Sequence, residues 1–186
     1  MQTYYANLNA IQQKTMQLDN EQCIHCGQAE QLVSHGFIYK KQAVATMPKP
    51  VGKRALCSKR YGRTGCGRTM GLYLDSMVRY LHTAGNSVVA FVFLLMEGVT
   101  IGDAYQQITG TADARHAYRW LNKLFTRLAH YRSLLHHTNF DELTHTNGNV
   151  FSLRRRLLAS TFTVLLQRFS EPLCSSYQRT LQISFL

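Results

Sequence analysis

The chain has 186 residues, 45% of them hydrophobic and 17% charged, and carries a formal net charge of +11. That length suits one sizeable core or two small modules and is short for a large catalytic domain, while the apolar content excludes a disordered tail. Residues 31–80 hold ten lysines and arginines against Asp75 alone, a local charge of +9, whereas residues 1–30 sum to −2; so concentrated a field favours a polyanion, nucleic acid before an acidic lipid surface.

In chain order, the opening MQTYYANLNAIQQKTMQLDN is polar and lacks an apolar core of the secretory kind. Residues 1–19 are therefore expected to be an N-terminal extension of a cytoplasmic protein. In a reducing compartment the five cysteines are metal ligands or core thiols rather than disulfides.

Residues 20–71 are expected to form a zinc ribbon. Cys23 and Cys26 make a C-x2-C knuckle with Gly27 behind it, and Cys57 and Cys66 complete a closed, structural Zn2+ site of four thiolates. Such a site has no open position for water, so catalysis at the ion is not expected. His25 or His35 is an alternative to Cys57 as ligand, and a redox pair is the alternative to metal. CIHCGQAE lacks the strand-then-helix setting of a redox motif. VSHGFIYK and RALC suit short strands, with MPKP as a connecting turn.

The stretch GKRALCSKRYGRTGCGRTM, residues 52–70, contains four arginines, two lysines and no acid. A loop held at both ends by thiolates would project Lys59, Arg60, Tyr61, Arg63 and Arg68 toward phosphates or base edges. Partial neutralisation of the zinc–thiolate cluster is the plainer role for the same cations.

Residues 72–135 are expected to be a helical module. Leu72, Leu74, Met77, Val78 and Leu81 recur at mixed helical spacing, and residues 83–86 break the pattern. The longest apolar run, VVAFVFLLM at 88–96, is too short to span a bilayer and fits a buried helix. One helix ends at Gly98, a short one spans about Ile101–Ile108, and Gly110 precedes a longer one. Thr100 or Thr111 suits a cap, and Asp113 a first turn. Ala114, Tyr118, Leu121, Leu124, Phe125 and Leu128 supply the apolar side of the third helix, and Arg115, Arg119 and Lys123 form a basic line. Such helices suit a helix-turn-helix in which Arg115 and His116 contact bases; a plain oligomerising bundle has similar spacing. Trp120 belongs to the core or is a packing wedge.

Residues 136–186 are expected to be a connector and a C-terminal packing or oligomerisation helix. His136, His137, Asp141, Glu142 and His145 fit a solvated loop better than a metal site. In the helix LRRRLLASTFTVLLQRFS, Leu157, Leu158, Phe162, Leu165 and Phe169 form a packing face, while Arg154 and Arg155, with Arg156, can meet DNA phosphate. Arginine at a helix start opposes the dipole and needs another partner there. The apolar tail suits docking or an extra strand, with Cys174 a free thiol.

Cys23-x2-Cys26-Gly27, then SHGFIYK, then KRALC and GCGRT, together resemble the zinc-ribbon front end of bacterial insertion-sequence transposases. The resemblance covers roughly residues 20–130 and is stronger in the ribbon than in the helices. It implies that ribbon and helix-turn-helix recognise transposon-end DNA, while a separate acidic-triad nuclease domain cuts it. Here the acidic residues number ten, residues 136–186 are too few for that nuclease, and Asp75, Asp103 and Asp141 lack a strand context for shared Mg2+.

The expected fold is thus α+β, a small N-terminal zinc ribbon followed by a mostly helical domain with a helix-turn-helix-like core. The expected function is sequence-selective binding of double-stranded DNA, by a nucleoid-associated accessory factor of a mobile element or a transcription regulator. A homodimer matched to half-sites and no membrane partner complete the expectation. An adaptor recruiting a transposase, recombinase or polymerase through the C-terminal half is the alternative. A small DNA-cleaving enzyme with Tyr61, Tyr118 or Tyr131 as nucleophile ranks below both, and no enzymatic activity is expected.

Overall fold

A computed structural model of the chain describes residues 2–40, 47–79, 81, 83–134 and 150–186. The architecture is α+β: an early β- and cysteine-rich segment of zinc-ribbon type, followed by a mostly helical domain. Two compact units result, residues 1–83 with 177–185 and residues 84–176 with 186.

The first unit is a four-stranded sheet in the order β1-β4-β3-β2. Its strands are β1 Gln2–Tyr5, β2 Leu32–Lys40, β3 Lys49–Cys57 and β4 Thr69–Leu74. β2, β3 and β4 pair antiparallel, and β1 lies parallel to β4 at the edge. Alternation along β3 buries Val51, Ala55 and Cys57 on one side. Helix α1, Leu8–Met16, starts at Asn7, whose Oδ1 accepts the Ala10 N–H at 2.8 Å. It packs against β3 and β4 with Ile11 fully buried. A 3-10 turn at Leu18–Asn20 then delivers Leu18 to the apolar cluster around the cysteines.

Two expectations change here. Residues 1–19, set apart by sequence as an extension, supply an edge strand and a packed helix of the sheet unit. The apolar spacing that begins at Leu72 is strand as far as Leu74, in register with β3 from Leu56↔Thr69 to Gly52↔Tyr73. A ladder between distant segments overrides a weak local periodicity.

The tail docks rather than adding a strand. Gln182 presents its carboxamide to the open side of β1, accepting the Tyr4 N–H at 2.7 Å and donating to the Tyr4 carbonyl at 3.1 Å. These are the two bonds a further strand would make, so the edge is closed by a side chain. Buried Gln178 donates to the carbonyls of Asp75 and Met77 at 2.6 and 3.2 Å and accepts the Phe185 N–H at 2.9 Å.

The second unit contains α2 Gly85–Met96, α3 Ile101–Thr109, α4 Arg115–Leu134 and α5 Val150–Arg168. Helix α6, Leu173–Leu181, begins here and ends in the first unit. Thr100 caps α3, accepting the Asp103 N–H at 3.3 Å and donating its hydroxyl to Asp103 Oδ2 at 2.6 Å. Gly110, at φ 70°, ends the helix in the left-handed conformation. Phe91 of α2, Tyr105 of α3 and Trp120 of α4 meet edge to face, with centroids 5.2–6.5 Å apart. Trp120 is therefore core.

Tyr118, assigned by spacing to the apolar side of α4, is exposed; Ala117 and Trp120 are buried instead. On α5, Leu158, Phe162 and Leu165 are buried as their spacing predicts, as is Phe169 just past its end, while Leu157 is half-buried; Phe162 meets Tyr131 of α4 at 6.4 Å. Because α5 begins at Val150, Arg154–Arg156 lie beyond its first turn and the expected dipole conflict does not arise. The connector at residues 136–149, with His136, His137, Asp141, Glu142 and His145, lies outside the described residues.

Candidate metal centre and basic loop

Four cysteines from two distant segments converge at one end of the sheet. The first pair sits in a tight turn in which Gly27 N–H donates to the Cys23 carbonyl at 2.7 Å, with Gly27 at φ 73°. The second pair brackets the β3–β4 loop, where the Cys57 and Gly67 N–H groups donate to the Arg68 and Cys57 carbonyls at 2.9 and 2.8 Å. Cys23 and Cys57 are buried beside Leu18, Leu32 and Ala55; Cys26 is exposed and Cys66 half-buried.

The four sulfurs lie within 4.8 Å of one another, and the Cys23–Cys66 and Cys26–Cys57 pairs are each 3.7 Å apart. A disulfide requires about 2.05 Å, so these are free thiols. A tetrahedral shell with Zn–S bonds of about 2.3 Å has sulfur–sulfur edges of about 3.8 Å. The cluster is thus geometrically compatible with a metal ion, and neither His25 nor His35 belongs to it.

The two buried thiols differ sharply in acidity. Burial opposes ionisation of Cys23, but N–H groups of His25 and Cys26 aimed at its sulfur outweigh it and bring the thiol down to about 7. Burial, reinforced by the neighbouring thiols, pushes Cys57 up to about 12 despite the Cys66 N–H at 3.1 Å. Four thiolates in so small a volume are stable together only around positive charge.

The loop between the second pair is built to a tolerance that sequence spacing does not reveal. A Cβ on Gly65 would lie 2.4 Å from the Ser58 carbonyl oxygen and 2.6 Å from Cys57 Sγ. Gly65→Ala is therefore expected to displace Cys57 and weaken metal retention roughly 10- to 100-fold in a chelator competition, the range seen for changes beside metal ligands. Gly102→Ala, in α3 at a position with open space for a Cβ, should retain metal as the parent chain does.

The loop cations divide into two groups. Arg63 turns inward, donating to the Glu30 carbonyl and pairing with Asp19 at 3.1 Å. Its guanidinium ties the loop to residues on either side of the Cys23–Cys26 turn, a bracing contact. Lys59 lays its stem over Gly67, while Lys59, Arg60, Tyr61 and Arg68 are exposed.

In the helical unit, Arg115, His116 and Arg119 are exposed on α4 and Lys123 is half-buried. Arg115 is not free. Its Nε lies 2.9 Å from both Asp113 oxygens and its Nη2 2.6 Å from Oδ2, and these bonds hold the Asp113 carboxyl down at about 2. Arg154 is exposed with its guanidinium over the Phe125 ring at 5.6 Å, and Arg155 is half-buried. Of the three tyrosines named above, Tyr131 is wholly buried and Tyr61 and Tyr118 are exposed. Among the described residues no helix is long and apolar enough to cross a membrane. No protein-family model, curated protein or solved structure matches the chain.

Proposed function

We propose that this chain is a sequence-selective binder of double-stranded DNA whose four-cysteine centre holds a structural Zn2+. The observation that carries the reading is the β3–β4 loop, anchored at both ends by ligand cysteines and exposing Lys59, Arg60, Tyr61 and Arg68 with no acid among them. Thiolate sulfur in a closed tetrahedral set is zinc chemistry, and rigid outward cations fit phosphate.

The helical module supplies the second surface. In this reading α4 is the recognition helix of a helix-turn-helix and Arg115 contacts a base. With Nε–H and one Nη2–H held by Asp113, the end-on fork of Arg115 remains available for guanine O6 and N7. Asp113 is then a positioning residue. The adaptor alternative relies on apolar side chains of the C-terminal half, of which Leu158, Phe162 and Leu165 on α5 are buried within the chain's own core. The reading is of a binder rather than an enzyme, acting in DNA rearrangement or transcription control, with a homodimer reading paired half-sites.

Selection from a random duplex pool at about 0.15 M salt, with nonspecific DNA as competitor, tests it. The zinc-loaded chain is expected to enrich one motif. Arg115→Ala should then relax a single base position by about 1–3 kcal/mol, and Asp113→Ala should weaken that preference while raising nonspecific affinity. No enrichment by folded, zinc-loaded chain would overturn the reading.

A further inference from the structure

The tip of the β3–β4 loop has an unusual occupant. The Arg63 N–H donates to the Arg60 carbonyl at 3.2 Å, closing a turn whose central residues, Tyr61 and Gly62, have φ of 56° and 79°. Positive φ at both centres is the type I′ pattern, which ordinarily selects asparagine, aspartate or glycine at the first of them. Tyrosine gains no local hydrogen bond from that conformation and carries a steric penalty in it. Nor does packing compensate, because Tyr61 is 100% exposed.

The base of the turn is held firmly. Ser58 Oγ accepts the Arg60 N–H at 3.1 Å, Gln31 Oε1 accepts the Thr64 N–H at 2.9 Å, and Arg63 is tied to Glu30 and Asp19. A flat ring is thus projected into solvent from a rigid mount, between the exposed cations Arg60 and Lys59 on one side and Arg68 farther along the loop. Backbone strain retained at an exposed position is a pointer to a ligand. A ring with free faces beside phosphate-binding cations fits a nucleobase.

We propose that Tyr61 stacks on a base that is already unstacked within the bound DNA, so that the loop favours a duplex carrying an unpaired nucleotide over a fully paired one. This rests on the DNA-binding reading above. An unpaired base offers its π-face without the loss of a stacked neighbour, whereas a regular duplex presents the loop only phosphates and base edges.

The test uses the whole zinc-loaded chain and two duplexes of one sequence, one fully paired and one with a single extra 2-aminopurine nucleotide. The parent chain is expected to bind the bulged duplex about 5- to 150-fold more tightly, equivalent to about 1–3 kcal/mol per stacked base, with a change in 2-aminopurine fluorescence. Tyr61→Phe should keep both effects, since the ring stacks without its hydroxyl. Tyr61→Ala should lose both the preference for the bulged duplex and the fluorescence change. Arg60→Ala should weaken both duplexes alike and flatten the salt dependence. Equal affinity of the parent for the two duplexes, or a preference that survives Tyr61→Ala, would overturn the stacking role and leave the DNA-binding reading standing. Loss of preference in Tyr61→Phe would assign the contact to the hydroxyl and overturn stacking too. Failure of the parent chain to bind either duplex would overturn both.

Discussion

Stripping metal from the four-cysteine centre is expected to unfold the sheet at its cysteine end. The apolar cluster there consists of Leu18, Cys23, Leu32, Ala55 and Cys57, and two of its five members belong to the four-cysteine set. Structural zinc contributes about 10–16 kcal/mol at neutral pH in small fingers, as much as the whole stability of a typical domain. Chelation should therefore abolish amide protection around Leu18, the Cys23–Cys26 turn and the Cys57–Arg68 loop, and Cys57→Ser should reproduce the loss. Cys174→Ser should bind metal normally, because that buried thiol is not part of the cluster. The ligands bind as thiolates, so protons compete with the metal and retention falls as pH is lowered. The single tryptophan, Trp120, lies in the helical unit. Its emission follows that core while hydrogen exchange follows the sheet.

Gln178→Ala is expected to be the most damaging single change away from the metal. Its carboxamide is wholly buried and satisfies three backbone groups, the carbonyls of Asp75 and Met77 and the N–H of Phe185. Removal leaves all three without that partner in a dry environment, where each unsatisfied group costs about 1–3 kcal/mol. A total on the order of 3–5 kcal/mol is a large fraction of a domain's stability. Gln182→Ala should cost less, about 1–2 kcal/mol, since it opens one residue of an edge strand. Denaturant titration of the zinc-loaded chain measures both. An equal, small effect of the two substitutions would show that the tail docks by apolar contact alone, through residues such as Tyr177 and Phe185.

Much of the metal centre was legible in the sequence because its chemistry is local. C-x2-C with a following glycine dictates a turn that aims two thiols at one point, and a second thiol pair in a basic, glycine-containing loop completes four donors. The punctuation of the helical unit was equally local: Thr100 caps, Gly110 terminates, and the spacing of Leu158, Phe162 and Leu165 marks the buried side of α5. These signals act over a few residues, the range across which backbone geometry and side-chain periodicity operate.

What spacing missed was decided by partners far away in the chain. Gln2–Tyr5 looks like a polar leader, yet it is a strand because β4 lies beside it and Gln182 closes its outer edge, 178 residues from Tyr4. Arg63 and Arg60 are chemically alike in one loop, but only Arg63 lies within reach of Asp19 and the Glu30 carbonyl. Tyr118 and Trp120 carry similar apolar weight, and the meeting of α2, α3 and α4 selects Trp120 for burial. The sequence by itself determined the four-cysteine set, the basic loop and the cap and stop of α3, because these follow from residue chemistry at short range. Only the tertiary structure decided which strands pair, which cations remain outward and how the C-terminus is fastened, because each depends on contacts between segments that no local pattern relates.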